Sequence, residues 1–211
     1  MTVNAPSLSA DLSARPLVSR VRAILLQPRS EWSVIDAEPA SVGGLYAGYI
    51  APLAAIGPVA SILGLSVIGI RLPFGGTYRV PLGSAITGAV VQYVMALVAT
   101  YVLALIIDAL APTFAGKRDK IQALKVAAYA STASWIAAAF ALVPWLSILG
   151  ILSLYSLYLI YLGLPAIMHA PRERALGYAA TVIGAAIVLF MVGGFIASRF
   201  AGYPSLTLPV R

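Results

Sequence analysis

Few residues in this 211-residue chain could do chemistry. There is one histidine, His169, and no cysteine, which excludes thiolate catalysis, disulfides and Cys-ligated metal. Asp108 is the only acid inside a long apolar stretch, and an ionisable group at such depth is a functional candidate by default. A serine with His169 and Asp108 would be the nearest approach to a nucleophile, a base and an orienting acid. The best elbow-like run, Gly64-Leu65-Ser66-Val67-Ile68-Gly69, misses G-x-S-x-G by one residue and lies in an apolar run rather than a strand-to-helix turn. No H-E-x-x-H, Walker or dinucleotide-binding signature is present. The expectation is a protein that is not an enzyme, with no catalytic residue, cofactor or metal.

The elements that hold these residues are apolar. Hydrophobic residues make up 61% and charged residues 10% of the chain, with mean hydropathy +0.94. A soluble domain carries roughly 25% charged residues, so this chain needs the lipid bilayer as its first partner. Apolar stretches run over 45–70, 82–110, 123–143, 146–168 and 176–198, each near the ~20 residues that a bilayer core requires. Only Pro144, Trp145 and their neighbours separate the third from the fourth, which predicts a tight hairpin. The expected fold is all-α, a polytopic transmembrane helical bundle of about five spans. It places one transmembrane domain at 41–200 and a short external tail at 201–211.

The formal net charge of +7 would raise nucleic-acid binding in a soluble protein. Here the basic residues sit between apolar runs, without aromatic interleaving, and read as topology signals; nucleic acid is not an expected partner. With five spans, ten of the fourteen Lys and Arg residues fall on the side of the amino terminus, among them Arg15, Arg20, Lys117, Arg118 and Lys125. Arg71, Arg79, Arg199 and Arg211 fall on the other. The bias predicts an N-in/C-out orientation.

Residues 1–14 are small and polar and are expected to be disordered. Residues 15–40 read as an amphipathic interfacial segment. Pro16 opens a helix whose apolar face is Leu17, Val18, Val21, Ile24 and Leu25, flanked by Arg20 and Arg22. Such a helix either lies among anionic lipid headgroups with its arginines snorkelling outward, or packs on the protein's own surface. Pro28 ends it, Trp32 and Ile35 are candidate interface anchors in a short polar stretch, and Glu38-Pro39 breaks the chain before the membrane.

Within the spans, Pro52 and Pro58 favour kinks. Gly44-x-x-x-Gly48, Gly193-x-x-x-Ala197 and Gly194-x-x-x-Ser198 have the small-residue spacing of close helix packing, within the chain or with a second copy. At ~1.5 Å per residue Asp108 falls near the membrane surface, level with Lys117, Arg118 and Lys125, where it forms a structural ion pair or serves as a proton or ion site. Tyr155, Tyr158 and Tyr161, with Ser153 and Ser156, make a polar-edged stripe. It lines a groove for a headgroup or partner helix, or supplies hydrogen bonds inside the bundle. Ser131, Thr132 and Ser134 carry the same two readings.

Several stretches resemble the bacterial branch of the Yip1 family of five-span membrane proteins: 28–32 (PRSEW), 46–52 (YAGYIAP), 107–129 (IDALAPTFAGKRDKIQALKVAAY) and 154–171 (LYSLYLIYLGLPAIMHAP) followed by Gly177-Tyr178. The resemblance covers nearly everything from Val18 to Phe200 and implies an N-in five-helix bundle with no catalytic residues to transfer. Eukaryotic members are linked to vesicle traffic and prenylated Rab GTPases, but their D-L-Y-G-P element is missing here and that role is not carried over. The expected location is multi-pass in a bacterial inner membrane. The expected function is a scaffold or adaptor organising lipid, other membrane proteins or copies of itself. The alternative is a small transporter or lipid-translocating protein with a path along the kinked first span and the tyrosine stripe.

Overall fold

The computed structural model describes residues 16–71 and 75–200, without the side chains at 144, 147 and 197–200. The tails expected at 1–14 and 201–211 lie outside the described residues, and the side chains of Ala197 and Ser198, one partner in each of the two carboxy-terminal small-residue motifs, are not described.

Two short helices come first, α1 (Leu17–Leu26) and α2 (Pro28–Ala37). Pro28 ends the first and also opens the second, at the helix position where its missing N–H costs nothing. The short polar stretch after Pro28, to which the sequence pattern assigns no helix, is therefore helical. Its Glu31, Trp32 and Ile35 fall on one helical face and are buried. The break expected at Glu38-Pro39 is present, with Glu38 extended at the end of α2.

The first long helical segment, Val42–Ile68, is broken into pieces. It consists of α3 (Val42–Leu45), a π turn (Tyr46–Ile50), α4 (Ala51–Ala54), α5 (Ile56–Ile62) and a second π turn (Leu63–Ile68). Pro52 cannot donate to the carbonyl four residues back and its ring crowds it. The chain widens just before the proline, where the Ala51 N–H reaches Tyr46 O. The segment ends at Gly69, whose φ of +81° and close approach to Thr77 Cγ2 and Tyr78 O leave no room for a Cβ. A small hairpin follows, β1 (Ile70–Arg71) against β2 (Thr77–Tyr78), the only sheet among the described residues.

The rest is helical: α6 (Leu82–Leu110) with one 3₁₀ turn after it (Ala111–Phe114), α7 (Lys120–Ala130), α8 (Thr132–Ala137), a 3₁₀ turn (Ala138–Leu142), a 3₁₀ run (Pro144–Leu154), α9 (Tyr155–Ile167) and α10 (Arg172–Phe200). Asp119 caps α7, its carboxylate accepting from the N–H groups of Ile121 and Gln122. Val143 is extended and makes the hairpin expected at Pro144.

The all-α bundle is as expected. Among the described residues four helical segments are long and apolar enough to cross a membrane: Val42–Ile68, Leu82–Phe114, Ile148–Ile167 and Arg172–Ile196. The expected third stretch, 123–143, is helical but not among them. It runs through the middle of the bundle, with α7 against α3, α6 and α9 and residues 123–130 all buried. A helix enclosed by protein can carry Lys125, Ser131, Thr132 and Ser134 because its neighbours, not lipid, satisfy them.

Candidate functional site: a charged cluster beneath the first two helices

The cluster starts from Arg20. On a free amphipathic helix this arginine would border the apolar face and point outward. Instead α1 packs on α2 and α8, and Arg20 is only 3% exposed. Its guanidinium forks between the Glu31 carboxylate on α2 and both carboxylate oxygens of Glu38. Of the two readings of this helix, Arg20 follows the one in which it packs on the protein itself, and its candidate role as an outward, lipid-facing arginine is corrected: two acids at the right reach draw it inward, and a guanidinium can satisfy both. Burial alone would lower the Arg20 pKa, but the Glu38 hydrogen bond and charge outweigh it and hold the group above its ordinary value.

Aromatic rings wall the cluster. The Arg20 guanidinium lies 5.8 Å from the centre of the Tyr129 ring, within cation–π range. Tyr129 packs on Tyr49 at 4.5 Å and meets the edge of Trp32 at 6.4 Å. The Tyr49 and Thr132 hydroxyls are hydrogen-bonded at 2.6 Å. Trp32 is thus no interface anchor. It is 1% exposed and lies over Gly163 of α9, where an added Cβ would come within 2.7 Å of its ring. Ile35, expected in the same role, is fully buried.

Lys125 closes the far side. Its Nζ donates to Ile35 O at 2.8 Å and Glu38 O at 2.6 Å, capping the carboxy-terminal end of α2, where a cation also meets the negative end of the helix dipole. Asp36 accepts from Gln122 Nε2 at 3.0 Å and lies 3.3 Å from His169 Nε2. A cavity of about 280 Å³ opens beside Arg20, Glu38, Lys125 and Tyr129, with Gly44 and Gly48 on its rim. An added Cβ at Gly48 would meet nothing within 4 Å. The Gly44/Gly48 pair therefore borders open space rather than a closely packed helix of this chain, while Gly193 does pack, against Met95.

Asp108 sits apart from this cluster. It is 3% exposed and pairs with Arg118 at 3.3 Å, and its Oδ1 has no hydrogen-bond partner among the described residues. Beside it the Tyr178 hydroxyl donates to Ile107 O, and the Tyr178 ring stacks on Phe114 at 5.0 Å. His169 pairs with Asp36, so no triad with Asp108 and a serine is assembled among the described residues. No group of three acids or histidines is placed to hold a metal there either.

The tyrosine stripe divides. The Tyr155 hydroxyl donates to Leu25 O at 3.0 Å and anchors the end of α1, and its ring touches Tyr158 at 5.5 Å. Tyr158 and Tyr161 are exposed. The hydroxyls of Ser134 and Ser156 bond across helices at 2.8 Å. Arg22 is exposed, as expected. Glu31, Glu38, Tyr49 and Tyr129 were not foreseen, and Lys125 only as a topology charge. A usable signal existed: three of the chain's seven acids fall within 31–38, next to an arginine-bearing helix.

A bundle with four helical segments long and apolar enough to cross a membrane defines a polytopic integral membrane protein. Residues 22–193 match the Yip1 domain, and the chain belongs to that family. No curated protein and no solved structure matches it.

Proposed function

We propose that the protein is a non-catalytic membrane scaffold or adaptor that organises partner membrane proteins or lipid, including anionic lipid headgroups. In this proposal it spans a bacterial inner membrane five times, N-in and C-out. One observation carries the proposal: among the described residues, polar side chains that meet between helices are bonded to one another, with Ser66 Oγ and Asp108 Oδ1 among the few buried atoms left without a partner. Tyr49 bonds Thr132, Ser134 bonds Ser156, and Arg20 bonds Glu31 and Glu38. A transport path needs polar groups left free to exchange partners along its length. A cavity of about 380 Å³ along the broken first span, beside Pro52, Val59 and Leu142, has an apolar lining.

Photo-crosslinkers at Tyr158 and Tyr161 in cells, with flux assays on proteoliposomes of the purified chain, test the proposal. Discrete protein or lipid adducts without flux above empty vesicles are expected. Solute or lipid flux that a Pro52→Ala variant changes would replace the scaffold with the transporter, for which the two π turns of the first span would be the moving parts.

A further inference from the structure

The depth of the bundle can be measured along two helices. On α6 the large exposed side chains Leu82, Ile86, Val90, Val94 and Val98 are apolar, Tyr101 follows, and Leu105 is exposed one turn beyond it; Gln92 is an exposed polar exception. Leu82 to Tyr101 spans about 28 Å at ~1.5 Å per residue. From exposed Trp145, through the 3₁₀ run and into α9, the distance to exposed Tyr161 is also about 28 Å, at ~2.0 and ~1.5 Å per residue. Both agree with a hydrocarbon core of about 30 Å, and Trp and Tyr favour its two edges. One edge therefore runs through Tyr101 and Tyr161, at the end of the bundle that carries Lys117 and Lys125.

The tip of α1 reaches inside that edge, since the Tyr155 that holds it lies six residues, about 9 Å, before Tyr161 on α9. Leu25 O is held by Tyr155, whose ring touches exposed Tyr158. Val18, Arg22 and Leu26 recur every fourth residue on the outer side of α1; Val18 is 78% and Leu26 67% exposed. Arg29 follows at the start of α2, also exposed. The acids in the described part of the segment are all turned the other way: Glu31 and Glu38 to Arg20, Asp36 to Gln122 and His169. Arg22 and Arg29 have no ion-pair partner among the described residues. The inward pairing thus strips the outer face of negative charge and leaves two arginines between two bare aliphatic side chains, just inside the edge, from where their long side chains reach up to the headgroups.

We infer that this face, Val18, Arg22, Leu26 and Arg29, is a docking surface for anionic phospholipid headgroups of the adjoining leaflet, with Val18 and Leu26 entering the acyl boundary. The inference rests on the lipid-organising part of the proposed function and names its site. It rotates the membrane-facing surface away from the centre of the face predicted from periodicity: Ile24 is fully buried, whereas Val18, at the border of that face, and Leu26, outside it, face outward. Each basic residue near an anionic surface contributes about fivefold in affinity at low ionic strength. Salt shortens the screening length to ~3 Å at 1 M, which removes that contribution.

The test uses the full chain in nanodiscs of phosphatidylcholine doped with phosphatidylglycerol, and reads the lipid retained by native mass spectrometry at low and high salt. Wild type is expected to enrich phosphatidylglycerol. Arg22→Gln with Arg29→Gln should lower the enrichment by at least several-fold at low salt, without lowering the melting temperature, because neither arginine holds the fold. Leu26→Asp should lower it as well. Unchanged enrichment in the double arginine variant, or none in wild type, overturns the site. Neither result bears on protein adducts at Tyr158 and Tyr161, so the scaffold proposal stands or falls separately.

Discussion

Arg20 and Glu38 are joined through both carboxylate oxygens across eighteen residues of sequence, so that α1 is fastened to the chain just where it enters the first span. Removing the guanidinium takes away the cation that bridges Glu31 and Glu38 in a buried place. Breaking a buried pair from one side costs about 3–5 kcal/mol, most of it the uncompensated charge that remains. Arg20→Met should therefore lower the melting temperature of the detergent-solubilised protein sharply. Arg20→Met together with Glu31→Gln and Glu38→Gln should recover most of the loss. A single variant as stable as wild type would show that the cluster does not hold α1 in place. Since the folded-state pKa of Arg20 is raised, the stabilisation is present below its ordinary pKa and is lost only as pH rises through the folded value, beyond the range in which the protein can be handled.

This pair also marks where sequence reading reached its limit. The apolar stretches, the break at Glu38-Pro39 and the hairpin at Pro144 follow from local composition and were legible. The inward turn of Arg20 was not, because periodicity places a residue on a helix face without saying what that face meets. Leu17, Val21, Ile24 and Leu25 form the same stripe whether lipid or α8 lies beneath it. What decides is the position of Glu31 and Glu38 on a second helix, and that helix was hidden behind Pro28, read only as a stop. Lys125 shows the same limit. A lysine at a helix end counts towards topology from sequence, but the free carbonyls of α2 that it caps lie about ninety residues earlier.

Gly163 exists for the sake of Trp32. An added methyl would fall 2.7 Å from Trp32 Cζ2, in a site where the indole is enclosed and cannot shift. Gly163→Ala should cost about 1–3 kcal/mol through overpacking, read as a drop in melting temperature. Trp32→Leu should restore part of the loss when combined with it, since the smaller side chain frees the space. Two independent, additive losses would instead place the two residues out of contact.

The absence of cysteine makes the five-span orientation directly testable. Thr77→Cys, on exposed β2, and Lys120→Cys, in the exposed first turn of α7, report on opposite ends of the bundle. In intact cells an impermeant maleimide is expected to label the Thr77→Cys protein and not the Lys120→Cys protein. Permeabilised cells should label both. Labelling of Lys120→Cys from outside would overturn the N-in arrangement. Equal labelling of both in intact cells would mean that positions 77 and 120 share a side, which five spans forbid.

Asp108 separates the scaffold from the transporter. Its carboxylate is buried, but its partner Arg118 is 62% exposed and therefore screened, so the pair contributes less than about 1 kcal/mol. Asp108→Asn removes that pair and also the need to keep a charge out of water, two small effects of opposite sign. The side-chain amide keeps the shape and adds a donor, leaving the stack of Phe114 on Tyr178 undisturbed. The expected outcome is normal protein abundance and a melting temperature within a few degrees of wild type. Partner or lipid adducts at Tyr158 and Tyr161 should be unchanged. A proton or ion site would behave otherwise, because the unpaired Oδ1 would then be the atom that binds the transported charge. If Asp108→Asn leaves abundance intact but abolishes a pH-gradient-driven flux in proteoliposomes, Asp108 is a coupling residue and the scaffold proposal fails.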